Sequence, residues 1–256
     1  MFTRALRHAR VLLRYPRSVL RAAANRSLAA WAALLVCTAA AGSDARVAPP
    51  GTSAIWGTVD GVEVEGAAQG PATEETPLQV ACLFEYSEGD IFRSPPALPA
   101  AQNGMVHLDQ ALHGGITELR KSGAFVGRRY ETMLLTPPEG AIGAKQLLLI
   151  GLGNRKDFTP DVMIGVASVA MREALRAGVD RYAFASDLKD AGIDSPTALV
   201  AANVVKGSFA AYRSELQLQK LGLSHHGRLS RITFLSGPAF YETAGQGIRD
   251  ALAAMR

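Results

Sequence analysis

The sequence predicts an α/β fold, a three-layer sandwich with helices on both faces of a mixed, mostly parallel sheet. Short apolar runs alternate with longer segments of helical periodicity from Leu78 to Met255, and that alternation is the signature of strand–helix–strand units. The run Gln146-Leu-Leu-Leu-Ile150 is apolar without alternation, as expected of a strand covered on both faces. Proline and glycine punctuate the helical segments at their starts and ends, where those residues are favoured.

Taken in order, residues 44–77 are rich in Gly, Ala, Pro, Thr and Glu and read as a linker, with one edge strand at most around Val62-Glu-Val64. Leu78 to Phe84 is a β-type run, followed by a loop containing Pro95, Pro96 and Pro99. His107 to Lys121 reads as one helix: Leu108, Leu112, Ile116 and Leu119 recur at three- and four-residue spacing and form a single apolar stripe. Gly123 suits its end. Glu131 to Thr136 and Gln146 to Ile150 follow as strands. Thr159-Pro160-Asp161 is a helix start, with a capping hydroxyl, a first-turn proline and an early acid, and Gly178 ends that helix. Tyr182 to Ala185 is a strand, Ser195-Pro196 opens a long helix to about Lys220, and Arg231 to Leu235 is a further strand. Pro238 opens a last helix toward Met255, whose apolar positions Ile248, Leu252 and Met255 are assigned to the core. No internal repeat is found.

Charge and cysteine usage narrow the function classes. The chain has 256 residues, 48% apolar and 20% charged, with a net charge of +4. That excess is local. Residues 1–43 carry seven arginines and no acid, which leaves 20 basic against 23 acidic residues in the remainder. A nucleic-acid surface needs a basic excess on the folded domain, so no nucleic acid is expected as a partner. The arginine-rich start, the apolar stretch centred on Leu28 to Cys37 and the small residues Ala39 to Gly42 have the layout of an export signal. Export is the expected destination, with organelle targeting and lipid or membrane anchoring through the leader as alternatives. Cys37 and Cys82 are the two cysteines, and Cys82, inside an apolar run, reads as a buried structural thiol.

Several motifs carry candidate chemistry beside plainer readings. Gly151, Gly153 and Asn154 follow an apolar strand and precede a helix start, and backbone amides there could cradle an anion with help from Arg155 and Lys156. A dinucleotide fingerprint would need glycine where Lys156 stands, and a tight turn is the default. Asp187, Asp190 and Asp194 could offer oxygens to a hard cation or simply solvate a loop. His225 and His226 lie in a glycine-bounded turn with no acid or cysteine close in sequence to complete a metal shell. His107 and His113 receive no role. Ser236-Gly237-Pro238 does not match a nucleophile elbow and reads as a loop and helix cap. Arg128 and Arg129 read as solvated charges. No catalytic residue, metal ligand or cofactor is assigned.

The blocks Leu108-Asp-Gln-Ala-Leu112, Gly123-Ala-Phe-Val-Gly127, Glu131-Thr-Met-Leu-Leu135 and Gly143 to Gly153 occur in an order that resembles the amino-terminal domain of leucyl aminopeptidases. The run Val205 to Arg213 is similar to a later helix of the same domain, and the resemblance extends over residues 78–252. It implies a macro-domain-like α/β/α sandwich that packs beside a two-metal catalytic domain and helps build a hexamer. The Asn-Thr-Asp-Ala-Glu-Gly-Arg stretch of that catalytic domain does not occur in these residues. The expectation is therefore a stand-alone, non-catalytic binding or assembly module over residues 78–256. Two alternatives stand beside it: a subunit of a split aminopeptidase whose catalytic domain is a separate chain, and a macro-like binder of a nucleotide or ADP-ribose. A homo-oligomer or that catalytic chain is the expected partner.

Overall fold

The computed structural model describes residues 47–93 and 97–255, with the side chains of residues 92–93 left aside. The segment read as an export leader, with Cys37, lies outside the described residues. Seven strands, β1 (Ser53–Val59), β2 (Val62–Ala67), β3 (Leu78–Phe84), β4 (Thr132–Leu135), β5 (Gln146–Gly153), β6 (Arg181–Ala185) and β7 (Arg231–Leu235), form one sheet in the order β1-β2-β7-β6-β3-β5-β4. The inner pairings are parallel and the two outer ones, β1–β2 and β4–β5, antiparallel. The helices are α1 (Asp90–Arg93), α2 (Gly104–Ala111), α3 (Gly115–Lys121), α4 (Val162–Arg176), α5 (Thr197–Lys220) and α6 (Tyr241–Ala253).

Alternation along the central strands sorts the core into two layers. Val80, Cys82 and Phe84 of β3, with Leu148 and Ile150 of β5, pack in one cluster with α4, α5 and α6. Ala81, Leu83, Leu147 and Leu149 face the other way, against α2 and α3. Both faces of β3 are thus buried along its whole length, as its apolar run required. Cys82 is buried and free, and Ile248 and Leu252 belong to the core, with Met255 packed against it.

The helices after Thr159 and Pro238 form, but their first turns carry no side-chain cap, so the Thr159 hydroxyl and Ser236 do not act as caps; two larger departures from the sequence reading remain. Residues 53–67, read as linker, form a hairpin that supplies the first two strands of the sheet. Its turn is Asp60-Gly61, both at positive φ (52° and 81°), the Asp-Gly signature of a two-residue hairpin. β2 buries Val62, Val64 and Ala67; Glu63 and Glu65 face Arg231 of β7 at 2.6 and 3.4 Å. Its stability comes from a parallel partner far along the chain, which local composition does not register. The second departure is the single helix expected over His107 to Lys121, which is broken into α2 and α3. His113 (φ 54°) and Gly114 (φ 81°) take left-handed conformations at the break, and the buried Asp109 carboxylate accepts from the Thr117 N–H and hydroxyl at 3.0 and 2.7 Å. The carboxylate caps the new helix start, which offsets the loss of one helical turn.

Candidate functional site

The inner strands all end at one edge, and between β6 and β3 the connections diverge: β3 leads on toward β4, β6 through α5 toward β7. Such a switch point at the carboxyl ends of parallel strands is the usual ligand crevice of open α/β sheets. A cleft of about 830 Å³ opens there, within the range of small-molecule sites. Its floor is apolar, built by Phe184, Phe234, Val200, Val204 and Ile248. Its rim is made by the loops Ser186–Asp190 and Ser236–Phe240 and by Gly70-Pro71.

Two long helices begin at this cleft. Thr197, Val200, Ala201 and Val204 of α5 line it, as do Ala244 and Ile248 of α6. Neither helix has a side-chain cap at its first turn. Uncapped N-terminal amides carry partial positive charge, and Thr197 at the start of α5 and Phe240 just before α6 line the cleft. Lys189 adds a full charge at the rim; its ammonium donates to the Ser195 carbonyl at 2.9 Å and lies 5.7 Å from the Phe240 ring centroid. Among the described residues the buried Ser236 hydroxyl at the rim has no hydrogen-bond partner.

Beneath the cleft, β3 and β6 pair only at Gln79–Ala183 and Val80–Phe184. Beyond that the Asp187 carboxylate takes the place of a strand carbonyl, accepting from the Cys82 N–H at 2.8 Å. Its backbone is held at φ 54°. Burial pushes the Asp187 carboxyl well above its ordinary range, the nearby Asp190 charge pushes it further, and the Cys82 N–H opposes both. Burial also raises Asp190, to about 6, against the backbone N–H groups of Met105 and Gly104 and the charge of His107. A hollow of about 30 Å³ lies beside the pair, lined also by Asp90, Arg120 and Arg155. It has room for a single water. Arg120 is bidentate to Asp90 at 2.7 and 2.6 Å and donates to the Phe84 carbonyl at 2.8 Å. Arg155 stacks on the Phe84 ring at 5.1 Å and donates to the Ala191 carbonyl.

The residues singled out from the sequence are thereby distributed. Gly151 and Gly153 donate their N–H groups to the Glu131 and Gly127 carbonyls at 2.8 and 3.0 Å. Asn154 accepts from the Lys156 N–H at 2.9 Å. A Cβ on Gly151 would sit 1.9 Å from the Arg128 carbonyl oxygen, so close backbone approach explains this glycine. None of the three lines the cleft. Asp187 and Asp190 come together, whereas Asp194 is exposed, 3.7 Å from Lys189. Among the described residues no three His, Cys, Asp or Glu side chains are grouped to hold a metal ion, and no metal-dependent step is assigned to them. His226 does meet an acid, Glu215, at 3.2 Å, with Ser224 on the same ring nitrogen at 3.1 Å. A relay would need serine and acid on opposite ring nitrogens, so this cluster pins the turn after α5. The helix starts of α5 and α6, flanking the cleft, were legible from Ser195-Pro196 and Pro238. What joins them in one opening is sheet order.

Fold and sequence comparisons agree on the class. The Oceanobacillus iheyensis macrodomain, solved with MES bound, superposes with a TM-score of 0.51 at 12% identity, covering 80% of this chain and 97% of that one; the fold is a macro-like α/β fold. A tomato leucine aminopeptidase variant aligns with a TM-score of 0.48 at 17% identity, over 77% of this chain and 37% of its own. Residues 91–215 match the Cytosol aminopeptidase family, N-terminal domain. A probable cytosol aminopeptidase of Roseiflexus castenholzii is 32% identical over 115 residues, 43% of this chain. This stretch is the N-terminal domain of the leucyl (cytosol) aminopeptidase family. The match spans 23% of the Roseiflexus protein's length.

Proposed function

We propose that the domain is a non-catalytic binding module whose cleft receives a small ligand with a flat apolar part and an anionic part, a nucleotide such as ADP-ribose. The observation that carries this reading is the convergence of two uncapped helix starts and Lys189 on one apolar cleft. The aromatic floor of Phe184 and Phe234 suits a base, and the helix amides suit phosphate oxygens. Each such helix–anion contact contributes about 0.3–1 kcal/mol when exposed and up to about 2 when partly buried. Calorimetry with ADP-ribose is expected to give saturable heat, reduced several-fold by Lys189→Ala. Absence of heat at millimolar ligand defeats the nucleotide reading. A leucyl-substrate assay with Mn²⁺ or Zn²⁺ on the same sample is expected to show no leucine release, and robust turnover refutes the non-catalytic part.

A second reading, assembly with a copy of itself or with a separate aminopeptidase catalytic chain, is favoured by one observation. Leu218, Leu221 and Leu223 are 41%, 60% and 70% exposed together at the end of α5, and clustered exposed leucines are a common mark of contact surfaces. Light scattering, alone and with such a catalytic chain, tests it; a monomer in both mixtures counts against it.

A further inference from the structure

The acid pair beneath the cleft holds one of its walls. The Asp190 carboxylate accepts from the Met105 N–H at 3.1 Å, and its backbone carbonyl accepts from the Asn103 side-chain amide at 3.0 Å. Asn103 in turn caps α2 through the Val106 N–H at 3.1 Å. These bonds staple the loop after β6 to the start of α2. Both stapled segments line the cleft: Asp187 and Asp190 from one side, Gly104 and His107 from the other. The join is tight, since a Cβ on Gly104 would lie 3.0 Å from the Asp190 carboxylate and 2.7 Å from Pro71.

We infer that Asp187 and Asp190 form an acid-closed latch on the cleft: with a proton on the pair the wall stays stapled, and with both carboxylates charged it loosens. Both groups line one hollow, largely out of water, and the Asp190 charge pushes Asp187 up, so charging both costs desolvation and repulsion. The other ionisable groups around them are His107 on α2, Cys82 on β3, Asp90 on α1, Arg120 on α3, Arg155 after β5 and Lys189 on their own loop. The two nearest cations of the hollow are engaged elsewhere, Arg120 by Asp90 and Arg155 by the Ala191 carbonyl. The pair is therefore left without a direct cationic partner among the described residues.

Linkage fixes the direction. In the closed wall the Asp190 carboxyl sits at about 6, whereas in an opened, solvated wall it returns to about 3.9. The closed form holds the proton more tightly, so acid favours closure and closure weakens as pH rises through about 6. That difference multiplies the opening equilibrium on the order of 100-fold between pH 4 and pH 7. Asp187, raised in the same direction, adds to it. The device is independent of what the cleft binds.

Hydrogen exchange on the full-length chain tests it, with each rate divided by the intrinsic rate at the same pH and read at the Met105 and Cys82 amides. Wild type is expected to lose protection on the order of 100-fold from pH 4 to pH 7. Asp190→Asn keeps an acceptor oxygen without the charge and should hold Met105 protected with a flat profile. Asp187→Asn should leave the Met105 transition in place, since burial rather than Asp187 raises Asp190, and should flatten the profile at Cys82. His107→Gln should keep the transition and move it to higher pH, because the His107 charge opposes the rise of Asp190; loss of the transition would assign it to the histidine and overturn the latch. Wild-type protection that is flat or rises with pH overturns the latch, as does a decline left unchanged at Met105 in Asp190→Asn and at Cys82 in Asp187→Asn. The wild-type profile decides alone if a variant fails to fold.

Discussion

Removing Arg120 should unfasten the domain far more than removing Arg120 and Asp90 together. The pair is nearly dry, with side chains 1% and 6% exposed, and is held by two short hydrogen bonds plus one to the Phe84 carbonyl. Arg120→Met leaves the Asp90 carboxylate buried with, among the described residues, a single 3.5 Å contact from the Ser87 N–H and the Arg155 charge across the hollow. A buried charge stripped of its partner costs about 3–5 kcal/mol, a large part of the roughly 5–15 kcal/mol that keeps such a domain folded. Asp90→Ala strands the guanidinium and should cost a similar amount. In the double variant no charge is stranded; the cost falls to the unpaired Phe84 carbonyl and some lost packing, about 1–3 kcal/mol. Urea unfolding of the four proteins gives the cycle, and the expected coupling is at least about 3 kcal/mol. An Arg120→Met loss below about 1 kcal/mol, or a double variant as unstable as the summed singles, would refute this reasoning.

Gly151→Ala should destabilise by about 1–3 kcal/mol or more, because the new Cβ meets the Arg128 carbonyl oxygen at 1.9 Å; a thermal melt unchanged from wild type would show that the 127–131 segment yields freely. Glu215 is pushed up by burial but lowered on balance by hydrogen bonds from Ser224, Gln219 and His226. Its folded value lies below the unfolded one, so it contributes stability above the ordinary glutamate range that is lost as pH falls through the folded value. Glu215→Gln should therefore be less stable than wild type at pH 7 and draw level with it in acid, as read by urea midpoints; a gap that persists at low pH contradicts this.

Legibility tracked how local the deciding interactions are. The α4 segment, α5, β5 and β7 were readable because their start signals and apolar runs are contiguous in sequence. The hairpin of β1 and β2 was not, although Asp60-Gly61 was visible, because β2 is stabilised by Arg231 and Ile232 on β7. The break between α2 and α3 hides in a continuous apolar stripe, and only the Asp109–Thr117 bonds reveal why the chain prefers two starts there. At the site, Asp187 and Asp190 were noticed as a cluster. Their tie to Cys82 and Met105 depends on contacts 105 and 85 residues apart, which no local pattern records. Gly151 drew notice as an anion turn, while its surroundings in the fold are the backbone of Gly127 and Arg128.

Amide chemical-shift mapping during an ADP-ribose titration bears most directly on the cleft as a binding site. Saturating shifts are expected at Thr197 to Leu199 and at Tyr241 to Thr243, the first amides of α5 and α6, together with Lys189. Shifts confined to residues 151–156, or none at millimolar ligand, would contradict it.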